Sequence, residues 1–215
     1  MEISYLGYAS FKLKNKAGMV VLIDPFDSDF VGLKMPKEKA DIVVVSRNDK
    51  GHNVVSEVKE AVKREEVFVI DGPGEYEVGG VEVSAIQVNG SEKRVIVVRM
   101  DGLSVCHLSN LDKELSTVLK KEVGAADVLL ASVGRKGGLG VGEMGKLVKE
   151  MSPSLVIPME YKVKGLKDGV GEVANLEEFL EKNNMKVGEN GSNKMKVTMS
   201  SLPEDMQVVV LNAGN

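Results

Sequence analysis

The sequence predicts an α/β fold with sheets inside and helices outside. Short β-branched runs bounded by turn signals alternate with segments of helical spacing. The alternation occurs twice along the 215 residues, each half giving strands first and strand–helix units after them. No low-complexity linker separates the halves, so residues 1–215 read as one domain made of two similar parts. Hydrophobic residues at 43% and charged residues at 28% suit a chain that buries a core.

In order, Ile3 to Leu6, Phe11 to Leu13 and Met19 to Ile23 predict three strands, with turns at Gly7 and Ala17-Gly18. Asp24-Pro25-Phe26 ends the third. Ile42 to Val45 is a continuous apolar run, the pattern of a strand buried on both faces. Val54, Val55, Val58, Ala61 and Val62 recur at helical spacing and predict a helix near 54–63. Strands follow at Val67 to Ile70 and through Val81, Val83 and Ile86, with Gly72-Pro73-Gly74 as a turn between them. Asn89-Gly90 is a turn signal, and Val95 to Val98 and Leu103 to Leu108 form a hairpin about Asp101-Gly102.

In the second half, Leu111, Leu115, Val118 and Leu119 predict a helix, and Val128 to Ala131 a buried strand. Gly134 to Gly142 reads as a loop; it contains Arg135 and Lys136 and offers backbone N–H groups to an anion, although no phosphate-loop pattern is present. Met144, Leu147, Val148 and Met151 predict a helix over 142–151, Leu155 to Pro158 a strand, and Leu176, Phe179 and Leu180 a further helix. Gly188 to Lys194 is a polar loop, and Val197 to Met199 and Val208 to Leu211 close the chain as strands.

Composition narrows the function. A net charge of −4 without a basic block argues against nucleic acid. No apolar run approaches the roughly 18 residues that span a bilayer. Met1-Glu2-Ile3-Ser4 begins a strand pattern rather than a signal peptide. The single cysteine, Cys106, has no internal disulfide partner and reads as a small buried apolar residue. A cytoplasmic protein is expected. Partner and oligomeric state stay open, a homo-oligomer included.

Six segments, in this order, carry a family resemblance. They are Leu6-Gly7-Tyr8-Ala9-Ser10-Phe11, Ile23-Asp24-Pro25-Phe26, Val45 to Asn53, Gly72 to Val81, Val105 to Leu111, and Leu155 to Tyr161. The chain resembles the metallo-β-lactamase superfamily, in the branch of small zinc-dependent hydrolases related to ascorbate-6-phosphate lactonases. The resemblance implies a four-layer αββα sandwich with the active site at one edge. It also implies zinc held by His and carboxylate ligands, with an open position at which bound water attacks an ester-like bond.

The chain departs from that pattern at the implied ligands. Of the family motif H-x-H-x-D-H, the first His falls on Arg47, the second on Asp49 and the Asp on Gly51; only the last His remains, as His52. The next His remains as His107, the bridging Asp falls on Asn110, the late His on Glu160, and a His near the first strand on Tyr8. A guanidinium has no lone pair for a metal. The cleft formed by Tyr8, Arg47, Asp49, His52, His107, Asn110 and Glu160 is therefore expected to be a remnant, with no catalytic residues and no cofactor. Arg47 is expected to pair with Asp49, Glu160 or both. Each histidine also has a plain reading, His52 as the cap of a helix starting near Asn53 and His107 as a satisfied core residue.

Two functions follow. The favoured one is a non-catalytic binding or assembly protein. The alternative is a metal-dependent hydrolase of an ester, lactone or phosphoester with an altered site, in which Asp49, His52, His107 and Glu160 hold one ion.

Overall fold

A computed structural model describes residues 1–61, 66–88 and 90–214, the side chains of 189 and 190 excepted. Two mixed sheets stack face to face. The six-stranded sheet runs Lys194–Lys196, Glu2–Gly7, Ser10–Lys14, Val20–Ile23, Ile42–Val44, Phe68–Ile70 in spatial order. The eight-stranded sheet runs Val187–Asn190, Gln207–Val210, Leu155–Met159, Val128–Ser132, Leu103–His107, Arg94–Met100, Val81–Gln87, Gly74–Val78. This is an α/β sandwich.

Alternation along the strands decides which layer each residue joins. In Arg94–Met100, Ile96 and Val98 face the other sheet beside Phe11, Ile23 and Leu130. Val95 and Val97 face the helices, with Cys106, Leu129, Met144, Leu147 and Phe179. Both faces are apolar, so the strand has no polar alternation, as a central strand requires. Asp101 and Gly102 close the hairpin with φ of 56° and 77°, the left-handed pair that fits the twist of two strands.

The helices Thr117–Val123, Val141–Met151 and Leu176–Lys182 belong to the second half. The helix expected near 54–63 does not form in its described part. Val55–Glu57 is a 3-10 turn and Lys59–Glu60 pairs in parallel with Lys39–Ala40; residues 62 and 63 lie outside the described residues. Val55 and Val58 still pack on the outer face of the six-stranded sheet, against Leu22, Val43 and Val45. Two apolar contacts are enough to tie a segment down without any helix, so helical spacing over five residues misread tertiary anchoring as periodicity.

Other boundaries shift. The turn expected at Gly72-Pro73-Gly74 runs directly into an edge strand, Gly74–Val78, and the polar stretch near 188–194 contributes the strand Val187–Asn190. The strand expected at Val197 to Met199 sits earlier, at Lys194–Lys196, because its register partner is Glu2 to Ser4. The helix expected from Leu111 begins at Thr117, where the Ser116 hydroxyl accepts the Leu119 N–H. Asn89 lies outside the described residues; Gly90 turns at φ 70°. Among the described residues no helix is long and apolar enough to cross a membrane.

Candidate active site

Strand ends from both sheets meet at one edge, and four of them finish in a left-handed residue other than glycine. Tyr8, Asp24, Ser109 and Glu160 have φ of 55°, 51°, 52° and 51°. Such backbone costs about 1–3 kcal/mol each and survives only where the surroundings over-determine it. The Tyr8 carbonyl shows how: it accepts the Glu160 N–H at 2.9 Å and the Tyr5 hydroxyl at 3.0 Å.

Asp49, His52 and Glu160 form a chain of charge. Asp49 Oδ1 lies 2.7 Å from His52 Nδ1 and accepts the Gly51 N–H at 2.8 Å. His52 Nε2 lies 3.8 Å from Glu160 Oε1, a charge contact longer than a hydrogen bond. His52 Nε2 and Glu160 Oε2 are both buried without a hydrogen-bond partner. The Tyr8 ring covers His52 at 5.3 Å. His52 does not cap a helix; none starts at Asn53.

Gly51 belongs to this packing. A Cβ there would come within 3.0 Å of the Tyr8 ring and 3.1 Å of Asp49 Oδ1.

Charge states follow from these contacts. Burial pulls the His52 pKa down, but Asp49 and Glu160 on its two nitrogens outweigh it and raise it to about 9. Burial pushes Glu160 up; His52, Arg135 and Arg47 overcome that and hold it at about 2. Asp49 is likewise held well below the usual range, against burial, by His52, Arg47 and the Gly51 N–H. Burial, with the Glu160 charge, raises the Tyr8 phenol well above its ordinary value.

Arg47 forms an ion pair with Asp49, not with Glu160. Glu160 faces Arg135 instead, with NH1 at 3.8 Å. With the Asn110 amide assigned so that its oxygen faces Arg135, that oxygen accepts from Arg135 Nε at 3.1 Å, and Arg135 NH2 donates to the Val170 carbonyl. Sequence reading set Arg135 aside as a loop residue. Its signal was the glycine-rich loop itself, where Gly138 permits a close approach that a Cβ, 2.9 Å from the Leu111 carbonyl and 3.0 Å from the Asn110 side-chain amide, would obstruct.

His107 lies one layer deeper. Its Nε2–H donates to the Ala9 carbonyl at 3.0 Å and its Nδ1 accepts the Ser109 N–H at 3.1 Å. Both nitrogens are engaged, so His107 is the satisfied core residue and leaves the four-ligand set. Below the site, Asp24 accepts from the Ser46 N–H at 2.7 Å and the Ser46 hydroxyl at 2.5 Å, and Ser46 Oγ lies 3.1 Å from Ser109 Oγ. This network ties the two sheets together under the site. Nothing in the spacing of Asp24, Ser46 and Ser109 announces it.

The chain is 25% identical over 196 residues to a protein of Archaeoglobus fulgidus named UPF0173 metal-dependent hydrolase, covering 75% of this chain and 83% of that one. A Methanosarcina mazei protein of the same name is 24% identical over 193 residues, covering 75% and 83%. Among solved structures, a Thermotoga maritima protein described as a Zn-dependent hydrolase of the metallo-β-lactamase superfamily superposes with a TM-score of 0.79 at 29% identity, covering 98% of both chains. A metallo hydrolase from Ignicoccus hospitalis shares the fold, with a TM-score of 0.64 at 17% identity over 100% and 96% of the two chains. The expectation of no cofactor is overturned by these relatives, which are named for metal dependence. A model of the β-lactamase superfamily domain matches residues 2–160, and the chain belongs to that superfamily.

Proposed function

We propose that the protein is a metal-dependent hydrolase of an ester, lactone or phosphoester, with a metal site reduced from the family pattern. Family membership supports the reaction class. The observation that carries the reading is the pair of buried, unpartnered donor atoms, His52 Nε2 and Glu160 Oε2, at the strand ends where the sheets meet.

These residues fit one ion rather than two. Among the described residues no three His, Cys, Asp or Glu side chains are grouped to hold a metal. An ion that keeps several waters and takes one or two protein ligands plus substrate oxygen, in the manner of magnesium or manganese, suits such a pair. His52 and Glu160 would hold it. When bound, the ion supplies Lewis acidity and lowers the pKa of water on it. Asp49 fixes the His52 ring through Nδ1 and leaves Nε2, protonated in the metal-free protein, as the nitrogen that would give up its proton to bind the ion. Asn110 is oriented by Arg135, and Tyr8 shields the imidazole from bulk water.

The test is hydrolysis of p-nitrophenyl acetate, a γ-lactone and p-nitrophenyl phosphate by protein loaded in turn with zinc, manganese and magnesium. Turnover that needs metal and disappears in both His52→Ala and Glu160→Gln is expected. Absence of turnover with every ion, or turnover indifferent to both substitutions, overturns the reading.

A further inference from the structure

The strand Val128–Ser132 runs parallel between Leu103–His107 and Leu155–Met159 in the eight-stranded sheet. Its side chains alternate. Val128 and Leu130 face the other sheet, whereas Leu129 and Ala131 face the helices. Ser132, next in the alternation, therefore faces inward, and it pairs with Met159, which joins the same inner core. Glu160 follows Met159 directly. On the other flank His107 pairs with Leu130, so the chain that goes on to Asn110 passes Ser132 on that side. The two flanking chains then meet: one atom of the Asn110 amide lies 3.5 Å from Glu160 Oε1. A contact between the outer two of three neighbouring strands passes the end of the middle one, and that end is Ser132.

Ser132 is 2% exposed, and its Oγ is buried without a hydrogen-bond partner. Among the described residues four other buried side-chain atoms share that condition. Three of them, Arg47 Nε, His52 Nε2 and Glu160 Oε2, belong to the candidate site. The fourth is on Asp41, whose other oxygen accepts the Val20 N–H. An orphaned hydroxyl in a protein interior is destabilising and calls for a partner supplied from outside the chain. An alcohol oxygen is a neutral, hard donor. It suits an ion such as magnesium or manganese, whereas zinc sites are built from imidazole, thiolate and carboxylate.

We propose that Ser132 Oγ is a third protein donor to the ion held by His52 Nε2 and Glu160 Oε2. The inference rests on the metal site of the hydrolase reading and not on its substrate.

The experiment is titration of manganese into EDTA-treated full-length protein, read by loss of the free-ion electron paramagnetic resonance signal. Ser132→Ala is expected to bind manganese about tenfold more weakly than wild type, the lower end for changes around a metal site. Without metal it is expected to melt no lower than wild type, because only an orphaned hydroxyl is removed. Ser132→Cys puts a thiol at the same place. Its cobalt-loaded form is expected to show a thiolate-to-cobalt charge-transfer band that wild type, with Cys106 buried among apolar side chains, lacks. Equal manganese affinity in Ser132→Ala and wild type, or no such band in folded Ser132→Cys, overturns the proposal. The two readings fail separately. Manganese binding that depends on Ser132, without turnover of any of the three substrates, sinks the hydrolase and keeps the donor. Metal-dependent turnover with manganese affinity indifferent to Ser132 does the reverse.

Discussion

Asp49 Oδ1 sits 2.7 Å from His52 Nδ1, and the same oxygen receives the Gly51 N–H at 2.8 Å. One carboxylate thus closes its own loop and orients a fully buried imidazole. Asp49→Ala leaves His52 buried with neither nitrogen hydrogen-bonded. Breaking a fully buried pair costs roughly 3–5 kcal/mol, but 35% exposure of Asp49 admits solvent screening, and about 1–3 kcal/mol is expected in urea unfolding. A loss below a few tenths would show that Asp49 does not hold the ring.

Arg47 contributes less to stability. It binds the most exposed carboxylate of the chain Asp49–His52–Glu160, and its Nε is buried without an aligned hydrogen bond. Arg47→Ala is expected to cost about 0–1 kcal/mol, the range for exposed pairs. Equal unfolding midpoints for Arg47→Ala and Asp49→Ala would contradict this order.

The metal-free protein should be most stable in mildly acidic solution. His52 is raised to about 9 in the folded state, so its contribution is complete below about pH 6.5 and is lost as pH rises through 9. Glu160 is lowered to about 2, so its contribution is present above about pH 4.5 and is lost as pH falls through 2. Denaturant midpoints measured in EDTA should peak between these limits, near pH 5–6.5 by the same linkage. A flat profile from pH 6 to 9 would place no titrating imidazole between Asp49 and Glu160.

His107 should matter to folding and not to metal. Replacing it with Phe strands the Ala9 carbonyl and the Ser109 N–H, at about 1–3 kcal/mol for each buried group left unsatisfied. Elemental analysis of manganese-loaded His107→Phe should match wild type, while His52→Ala should lose the ion. A parallel loss in both would put His107 back among the ligands.

Gly51→Asp tests the crowding at the centre. The new Cβ meets the Tyr8 ring at 3.0 Å and Asp49 Oδ1 at 3.1 Å, and overpacking of this kind costs roughly 1–3 kcal/mol. Calorimetry showing an unchanged melting temperature would mean that Tyr8 moves freely.

Most of the strands and the buried central runs were legible in the sequence because each is a local pattern, and the superfamily because six segments resemble it in order. Ile42–Val44 and Val128–Ser132 are continuous apolar runs, and Asp101-Gly102 specifies its own turn. Composition alone could not separate the segment at 54–61 from a helix, since Val55 and Val58 are held by contacts with Val43 and Val45 that no local spacing encodes. Aligned positions gathered Tyr8, Asp49, His52, Asn110 and Glu160, but only the tertiary structure decided their pairing. It gave Arg47 to Asp49 and Arg135 to Glu160, and it turned His107 inward onto Ala9. The physical reason is range. Turns and strands are set within a few residues, whereas a buried charge finds its partner by distance in space, and Arg135 and Glu160 are brought together by strand ends 25 positions apart in the chain.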